Sequence, residues 1–228
     1  MKQLLVIGGT KGIGLASTQV LLNQGHNVHV WARNVIDIQG VTVIANDVTG
    51  NLNLGELPEV LDGVVYCPGN INLKPFHRLT AEDFTRDWQL NVLGAVTTLQ
   101  AVMPWLKKSD NASVVLFSTV AVSVGMPFHA STASAKAAIE GLTKSLAAEW
   151  APKIRVNAIA PSLTNTPLAE RLLSSEEKID AAAKRHPLQR IGSPEEMAAM
   201  VAFLLSDESR WITGQVLHVD GGLSSVKI

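Results

Sequence analysis

The fold is decided by the sequence LLVIGGTKGIG at residues 4–14, in which an apolar run leads into a glycine-rich loop. The run Leu4–Ile7 is typical of a strand buried on both faces, and the pattern over Ile13–Asn23 is typical of a helix. The loop glycines permit a tight turn, and the first N–H groups of the helix can bind a phosphate. A plain turn would show the same glycines, but their place between a strand and a helix favours a dinucleotide site. Its predicted contacts are Gly8, Thr10, Lys11, Gly12, Ile13 and Gly14.

Short apolar runs and longer helical patterns alternate along the rest of the chain. We predict strands at Leu4–Ile7, Val28–Trp31, Val41–Ala45, Gly63–Cys67, Ser113–Ser118, Arg155–Ala160 and Gln215–Val219. We predict helices at Ile13–Asn23, Ala81–Lys107, Thr132–Trp150, Leu168–Arg185 and Pro194–Leu205. The alternation predicts an α/β protein with a single Rossmann-type domain over residues 1–228, a doubly wound parallel β-sheet flanked by helices. The connections on either side of Val41–Ala45 leave little room for crossover helices, so we expect one sheet edge to be thinly covered.

Composition and charge exclude several functional classes. The 228 residues are 46% hydrophobic and 17% charged, which excludes a disordered chain. The net charge of −1 argues against nucleic-acid binding and against binding to an anionic membrane. The single cysteine, Cys67, excludes an internal disulfide and fits a cytoplasmic protein, since the apolar start of the chain is too short for a signal peptide. No long apolar stretch predicts a membrane span, and the scattered histidines predict no metal site.

The end of the second predicted strand carries a signal for the type of cofactor. An acid at this point of a dinucleotide-binding unit binds the ribose 2′-hydroxyl, whereas an arginine can bind a 2′-phosphate. The sequence here is Trp31-Ala32-Arg33-Asn34, without an acid. We therefore expect NADP(H) to be preferred over NAD(H), with Lys11 as a second cation for the phosphate. The alternative is that Arg33 and Lys11 are solvated surface cations.

Motifs spread over nearly the whole chain make it resemble the short-chain dehydrogenase/reductase family. Beyond the glycine-rich loop, these motifs are Asp47-Val48, Asn91 within LNVLG, Lys136, RVNAIAP at residues 155–161, RIGSPEE at 190–196, and ITGQV leading to VDGG at 212–222. The resemblance implies a small-molecule substrate and a homodimer or homotetramer. It also implies further cofactor contacts, with the adenine at Asp47 and Val48, the adenosine ribose at Pro68 and Gly69, and the nicotinamide at Pro161, Thr164 and Thr166.

The chain departs from this family at the position of its proton donor. The family places a tyrosine four residues before its active-site lysine, and in this sequence Thr132 stands four residues before Lys136. The family's active-site serine falls on Thr119, with a one-residue slip to Ser118 as the alternative. Asn91 and Lys136 match two further members of the family's proton relay, and both would also bind the cofactor. The resemblance therefore implies four candidate catalytic residues, which are Asn91, Thr119, Thr132 and Lys136.

The sequence offers two substitutes for the missing acid. Tyr66, the only tyrosine, is expected near the adenosine end of the cofactor and is not one of them. His129, Thr132 and Lys136 are spaced to share one helix face if the helix already includes His129. The preceding Pro127 and Phe128 favour instead a loop histidine that points to solvent. The second substitute is Lys136, acting as an acid through a water molecule.

Three functions are compatible with an intact cofactor loop and a changed acid. The first is an NADP(H)-dependent oxidoreductase that acts on a carbonyl or alcohol with a non-standard proton donor. The alternatives are a non-catalytic NADP(H)-binding sensor or partner subunit, and an isomerase or lyase without net redox change. We expect residues 163–190 to form a lid over the substrate site. The small residues Ala133, Ala137 and Gly141 form a stripe that packs either inside the domain or against another subunit.

Overall fold

The central element of the fold is a parallel β-sheet. The computed structural model of the protein describes residues 1–227. Its strands are β1 (Gln3–Ile7), β2 (Asn27–Ala32), β3 (Thr42–Ala45), β4 (Gly63–Tyr66), β5 (Ala112–Phe117), β6 (Ile154–Pro161) and β7 (Val216–Val219). They lie in the order β3-β2-β1-β4-β5-β6-β7, and every neighbouring pair is parallel. The order reverses between β1 and β4, and ligands of such sheets bind outside the carboxyl ends of the strands at this point.

Helices cover both faces of the sheet. They are α1 (Gly12–Asn23), α2 (Ala81–Trp88), α3 (Gly94–Leu106), α4 (Ala130–Trp150), α5 (Glu176–Ala183) and α6 (Pro194–Leu205). Leu21 of α1 and Val201 of α6 are buried on one face, and Leu99 of α3 and Ile139 of α4 are buried on the other. The predicted single α/β domain with a doubly wound parallel sheet is confirmed. Every strand agrees with a predicted apolar run to within one residue at each end.

The predicted helix over Ala81–Lys107 is wrong in its middle, where one turn is a π-helix. The chain forms α2, then a π-helical turn over Gln89–Leu93, and then α3. The wider turn interrupts the regular hydrogen-bond ladder, and side chains bind to carbonyl oxygens there. The hydroxyl of Tyr66 donates to the carbonyl oxygen of Leu90 at 2.7 Å, and Asn91 Nδ2 donates to that of Asp87 at 2.8 Å. Asn91 is thereby directed into the interior, where it has no exposed surface.

The predicted helix over Leu168–Arg185 is also wrong, because a second helix start interrupts it. A 3₁₀ segment, Pro167–Leu173, comes first, and α5 follows it. Ser175 caps α5 by accepting a hydrogen bond from the backbone N–H of Lys178 at 3.3 Å. The sequence carried this signal, since a serine followed by two glutamates is typical of a helix N-terminus.

The sheet edge at β3 is thinly covered, as expected. The chain between β2 and β4 forms no helix in the described structure. Asn46 and Asn53 instead hold the loop after β3, because the side chain of Asn46 exchanges two hydrogen bonds of 2.5 and 2.7 Å with the backbone of Asn53. Across residues 1–227, no helix is both long enough and apolar enough to cross a bilayer.

Candidate cofactor and substrate site

A cleft of about 380 Å³ opens at the carboxyl ends of β1 and β4. All seven parallel strands end at this edge of the sheet, and the segments that follow β1, β2, β3, β4 and β6 form walls of the cleft. Most of the predicted cofactor contacts line it, namely Gly8, Thr10, Lys11, Gly12, Ile13, Gly14, Arg33, Asp47, Val48, Pro68, Gly69 and Thr166. The structure therefore brings together residues that are up to 158 positions apart in the sequence, from Gly8 to Thr166.

The glycine-rich loop is shaped to let a charged group approach its backbone. Gly8 has a φ angle of +77°, a conformation that side chains other than hydrogen disfavour. A Cβ atom at Gly14 would collide with the carbonyl oxygen of Gly8, so glycine alone allows α1 to start this close to the strand end. Lys11 occupies the cap position of α1 without a side-chain cap, which leaves the first N–H groups of the helix available. This cradle fits a pyrophosphate.

Arg33 and Asp47 lie at the end of the cleft formed by β2 and β3, and Lys11 lines the same cleft. The side chains of Arg33 and Asp47 are exposed. Asp47 accepts hydrogen bonds from Thr49 Oγ1 at 2.7 Å and from Thr49 N at 2.9 Å. These bonds, with a smaller contribution from the charge of Arg33, lower the pKa of the Asp47 carboxyl. The cleft thus offers an anionic acceptor and a cation at one end, with Lys11 as a second cation on its wall, which suits an adenine with a phosphorylated ribose.

A second cavity, of about 320 Å³, adjoins the cleft. The two share five lining residues, Ile13, Cys67, Gly69, Thr166 and Leu168. The predicted site residues Thr119, Thr132, Lys136, Pro161 and Thr164 line this second cavity together with His129, Arg185 and His186. Residues from the expected lid segment, Leu163, Leu168, Ala169 and Leu172, add apolar surface to its wall. Within residues 1–227, no group of three or more His, Cys, Asp or Glu side chains could hold a metal ion.

Lys136 and Asn91 both lie against Gly69, where the two cavities meet. Lys136 Nζ and Asn91 Oδ1 are 3.3 and 3.2 Å from the point that a Cβ atom on Gly69 would occupy. Lys136 donates to the carbonyl oxygen of Phe117 at 2.8 Å, and burial lowers the pKa of its ammonium group to about 8. Asn91 donates to Asn70 Oδ1 at 2.7 Å, and its own Oδ1 finds no partner in the described part of the chain. A cation and an unused acceptor therefore flank the junction.

Thr119 contributes a hydroxyl to the cavity wall that remains able to donate to a ligand. Thr119 Oγ1 accepts a hydrogen bond from Ala121 N at 3.3 Å, and this bond leaves its own proton unused. The neighbouring Ser118 is buried and donates to Glu140 Oε1 on α4 at 2.6 Å. The geometry therefore favours Thr119 over the alternative alignment on Ser118.

A buried carboxylate that the sequence analysis missed organises the wall behind Thr132. Asp87 has no exposed surface and accepts hydrogen bonds from the side-chain amides of Asn70 and Asn72, the latter at 3.2 Å. Thr132 Oγ1 lies 3.4 Å from Asp87 Oδ2 and 3.3 Å from Asn72 N. We call Asp87, Asn70, Asn72 and Thr132 the Asp87 cluster. The hydroxyl of Thr132 belongs to it, and no local pattern in the sequence marks this cluster.

Two histidines line the second cavity and differ in the ring nitrogen they leave unbound. His186 is buried, with Nδ1 2.8 Å from the carbonyl oxygen of Ala182 and Nε2 2.8 Å from Ser162 Oγ. His129 immediately precedes α4, as the sequence favours, and it is a half-buried residue that lines the cavity. The expectation that His129 points to solvent therefore holds only in part. Its Nδ1 is 2.8 Å from the carbonyl oxygen of Pro127.

Tyr66 lines neither of these two cavities. It is buried beneath the π-helical turn, and its hydroxyl is bound to Leu90, which does line the cofactor cleft. Burial raises the pKa of the phenol above its usual value. The only tyrosine of the sequence therefore takes no part in the junction where Lys136 lies.

Comparisons with known proteins show which sequences and folds this chain is similar to. Residues 8–224 match the family described as enoyl-(acyl carrier protein) reductase. A 3-oxoacyl-(acyl-carrier-protein) reductase of Thermotoga maritima is 34% identical over 97% of this chain and 97% of its own length. The ligand-free structure of Thermoplasma acidophilum aldohexose dehydrogenase is 29% identical, with a TM-score of 0.89 over 100% of this chain and 96% of that one. The structure of ElxO with NADP bound is 26% identical, with a TM-score of 0.86 over 99% of this chain and 100% of that one.

Proposed function

Because the chain belongs to the short-chain dehydrogenase/reductase family, we propose that it is an NADP(H)-dependent oxidoreductase that interconverts a carbonyl and an alcohol. The observation that carries the proposal is the junction of the two cavities, where the loop cradle adjoins a second chamber that contains Lys136 and Thr119. The names of two similar proteins give further support, since one is a reductase and the other was solved with NADP bound.

The residues that would hold the cofactor follow the cleft from end to end. The glycine-rich loop and the N-terminus of α1 bind the pyrophosphate, and Arg33 with Lys11 binds the 2′-phosphate. Asp47 accepts a hydrogen bond from the adenine amino group. Pro161, Thr164 and Thr166 flank the nicotinamide, and Lys136 binds its ribose. When bound, the cofactor supplies or accepts a hydride, while the protein supplies position and charge.

The residues of this chain hold the substrate beside that ribose. Thr119 donates a hydrogen bond to the substrate oxygen, because its hydroxyl proton has no other acceptor in the described contacts. The unpartnered Asn91 Oδ1 accepts from a water molecule that links it to Lys136. Residues 163–190 close over the substrate as a lid, which excludes solvent from the apolar part of the cavity.

The exposed stripe on α4 supports assembly into a homodimer or homotetramer. Ala137 and Gly141 are exposed, and nothing lies within 4 Å of a Cβ atom placed on Gly141. The alternative that the stripe packs inside the domain is therefore wrong for these two residues. A second copy of α4 would fit closely on such a surface. Sedimentation of the wild type and of Ala137→Glu tests this, with dimers or tetramers expected for the first and a shift toward monomer for the second.

The first experiment measures NADPH and NADH binding by calorimetry, followed by turnover of the same sample against a broad panel of carbonyl compounds. Tight NADPH binding with turnover is the expected result. Tight binding without turnover would favour a sensor or partner subunit, above all if Thr132→Tyr then creates reductase activity. Conversion without net cofactor oxidation would favour an isomerase or lyase. Failure to bind either cofactor would overturn the proposal.

A further inference from the structure

Carbonyl reduction needs a proton as well as a hydride, and most groups of the second cavity are poorly placed to supply it. The hydroxyl of Thr132 is held by the Asp87 cluster. Burial raises the pKa of the Cys67 thiol to about 12, so this group is a weak acid at neutral pH. His186 uses both ring nitrogens. The hydroxyl of Thr119 is too weak an acid to protonate an alkoxide efficiently without a partner.

His129 is the imidazole of this cavity that keeps one nitrogen for a ligand. A carbonyl oxygen only accepts hydrogen bonds, so the bond to Pro127 fixes the ring proton of the neutral form on Nδ1. No hydrogen bond to His129 Nε2 occurs within the described structure. This nitrogen therefore offers a lone pair in the neutral ring and a proton in the cation. Histidine is also the side chain that ordinarily changes charge near neutral pH.

The backbone that carries His129 is held in a strained conformation. Phe128 has a φ angle of +71°, which is rare for a bulky residue, and half of its surface is exposed. Its carbonyl oxygen accepts a hydrogen bond from Lys74 N at 3.1 Å, and Lys74 Nζ in turn donates to Asp83 at 2.6 Å. Local strain of this kind persists only where the surroundings impose it, and it concentrates at functional sites. Here the strained turn at Phe128 holds the position of His129, the residue that lines the cavity.

We infer that His129 exchanges the proton with the substrate oxygen through its Nε2 atom. This inference rests on the proposed function, because it assumes that a carbonyl or alcohol is bound in the second cavity. The side chains of His129, Thr132 and Lys136 all line that cavity from the start of α4. His129 thus lies about one helical turn before Thr132, the residue whose hydroxyl is bound in the Asp87 cluster.

The proton step balances in both directions. In reduction, a hydride from the dihydronicotinamide adds to the carbonyl carbon, and the π electrons of the carbonyl move onto oxygen. The imidazolium of His129 gives its Nε2 proton to that oxygen, and the ring remains neutral, with Nδ1–H donating a hydrogen bond to the carbonyl oxygen of Pro127. The products are an alcohol and oxidised nicotinamide, and His129 regains a proton from solvent. In oxidation, neutral His129 accepts the hydroxyl proton as the hydride leaves carbon.

The charged and titratable groups around His129 are mostly cationic or neutral. Lys74 belongs to the loop that binds the carbonyl of Phe128. The groups that line the cavity from the other elements are Cys67, Lys136, Arg185 and His186. Among the described lining residues there is no carboxylate. The pH dependence of the reaction therefore reports on these groups together with His129, and only the part lost on substitution of His129 belongs to it.

The test compares the wild type with His129→Gln, and with His77→Gln as the matched control. His77 is exposed on the 3₁₀ segment Phe76–Arg78 and lines neither of the two cavities. We expect kcat of His129→Gln to fall by about 10²- to 10⁴-fold, with the dissociation constant for NADPH unchanged. In the wild type, kcat for reduction falls as pH rises through one ionisation, and kcat for oxidation falls as pH drops through it. The part of both dependences that belongs to His129 disappears in His129→Gln and persists in His77→Gln.

Two further measurements separate catalysis from folding. His129→Gly should regain part of the lost rate on addition of free imidazole. Nitrogen-15 NMR of the unliganded wild type, assigned by comparison with His129→Gln, should show the Nδ1-protonated neutral form for His129. A kcat within threefold of the wild type for His129→Gln, or a neutral form protonated on Nε2, would overturn the inference. A wild type that reduces no carbonyl would instead overturn the proposed function.

Discussion

The hydroxyl of Tyr66 lies 2.7 Å from the carbonyl oxygen of Leu90, the second residue of the π-helical turn. The ring fits beneath the turn because Gly94 has no side chain, and a Cβ atom there would collide with the phenolic oxygen. This bond binds the end of β4 to the segment that carries Asn91 into the interior. Tyr66 therefore has a structural role close to the cofactor cleft and no path to the substrate.

Tyr66→Phe should reduce stability and leave catalysis intact. Loss of the bond to Leu90 removes about 1 kcal/mol from the free energy of unfolding. The rate constant kcat for carbonyl reduction should stay within about twofold of the wild type, because Tyr66 lines neither of the two cavities. Urea unfolding and steady-state kinetics on the same preparation measure both effects. A loss of kcat beyond tenfold would identify this tyrosine as the proton donor.

Arg33→Asp should reverse the cofactor preference. A carboxylate there repels a 2′-phosphate and can accept a hydrogen bond from a 2′-hydroxyl. We expect NADPH affinity to fall by at least about tenfold and NADH affinity to hold or improve. Lys107→Asp is the control, since it makes the same charge change at an exposed position after α3. Calorimetry that shows equal losses of NADPH affinity in both variants would mean that Arg33 is only a solvated cation.

Gly14→Ala and Gly141→Ala form a matched pair, each adding one methyl group to a helix. The methyl at position 14 meets the carbonyl oxygen of Gly8, so the loop must move and cofactor affinity should fall by roughly 100-fold. The methyl at position 141 meets nothing within 4 Å in its own subunit, so it should leave NADPH affinity unchanged and stabilise the unassembled subunit by about 0.5–1 kcal/mol. Calorimetry and thermal unfolding measure the two effects. Unaltered NADPH binding by Gly14→Ala would show that the cradle is not the phosphate site.

Phe128→Gly should raise stability while lowering activity. Glycine adopts a φ angle near +71° without strain, so the melting temperature should hold or rise, whereas β-branched Phe128→Val should lower stability by about 1–2 kcal/mol. A looser turn lets His129 move, and kcat should fall by roughly tenfold or more. Thermal unfolding and steady-state kinetics of the wild type, Phe128→Gly and Phe128→Val measure these changes in stability and kcat. Full activity in Phe128→Gly would mean that the strained turn does not position the histidine.

Acid should destabilise the protein in part through Asp83. Hydrogen bonds from Lys74 and from Thr80 lower the pKa of this carboxyl to about 2 in the folded chain, against an ordinary value of 3.8. A depressed pKa contributes stability that is present above pH 4 and is lost as pH falls toward 2. Urea unfolding of Asp83→Asn between pH 5 and pH 2 should show a smaller pH dependence than the wild type. Asp37→Asn, at an exposed position, should retain the dependence of the wild type.

The arrangement of the sheet could be predicted from the sequence because each buried strand is a continuous apolar run. The strands and the glycine-rich loop depend on local properties, and these were predicted to within a residue. The π-helical turn could not be predicted in this way, because its partner Tyr66 is 24 positions away from Leu90. The start of α5 after Ser175 could be predicted, because the capping serine and the two glutamates of the first turn are neighbours in the sequence.

The residues of the candidate site could be predicted only where they belong to a recognisable sequence motif. The cofactor loop and Lys136 fall into this group, and the structure brings them to one edge of the sheet. The Asp87 cluster could not be predicted, because it joins residues 15 to 60 positions apart that have no common pattern. The orientation of His129 was missed for another reason. It depends on the left-handed backbone of Phe128, which a bulky residue does not signal.

The position of Cys67 makes it a natural label for ligand occupancy. It is the only cysteine of the chain and belongs to the wall shared by the two cavities. An alkylating reagent such as iodoacetamide would therefore modify one site, slowly, because burial raises the pKa of the thiol to about 12. A molecule bound in the cleft or in the second cavity would slow the modification further. The rate of alkylation would then report the occupancy of the cleft and the second cavity without any turnover. This would hold even for a ligand that the protein binds and does not convert.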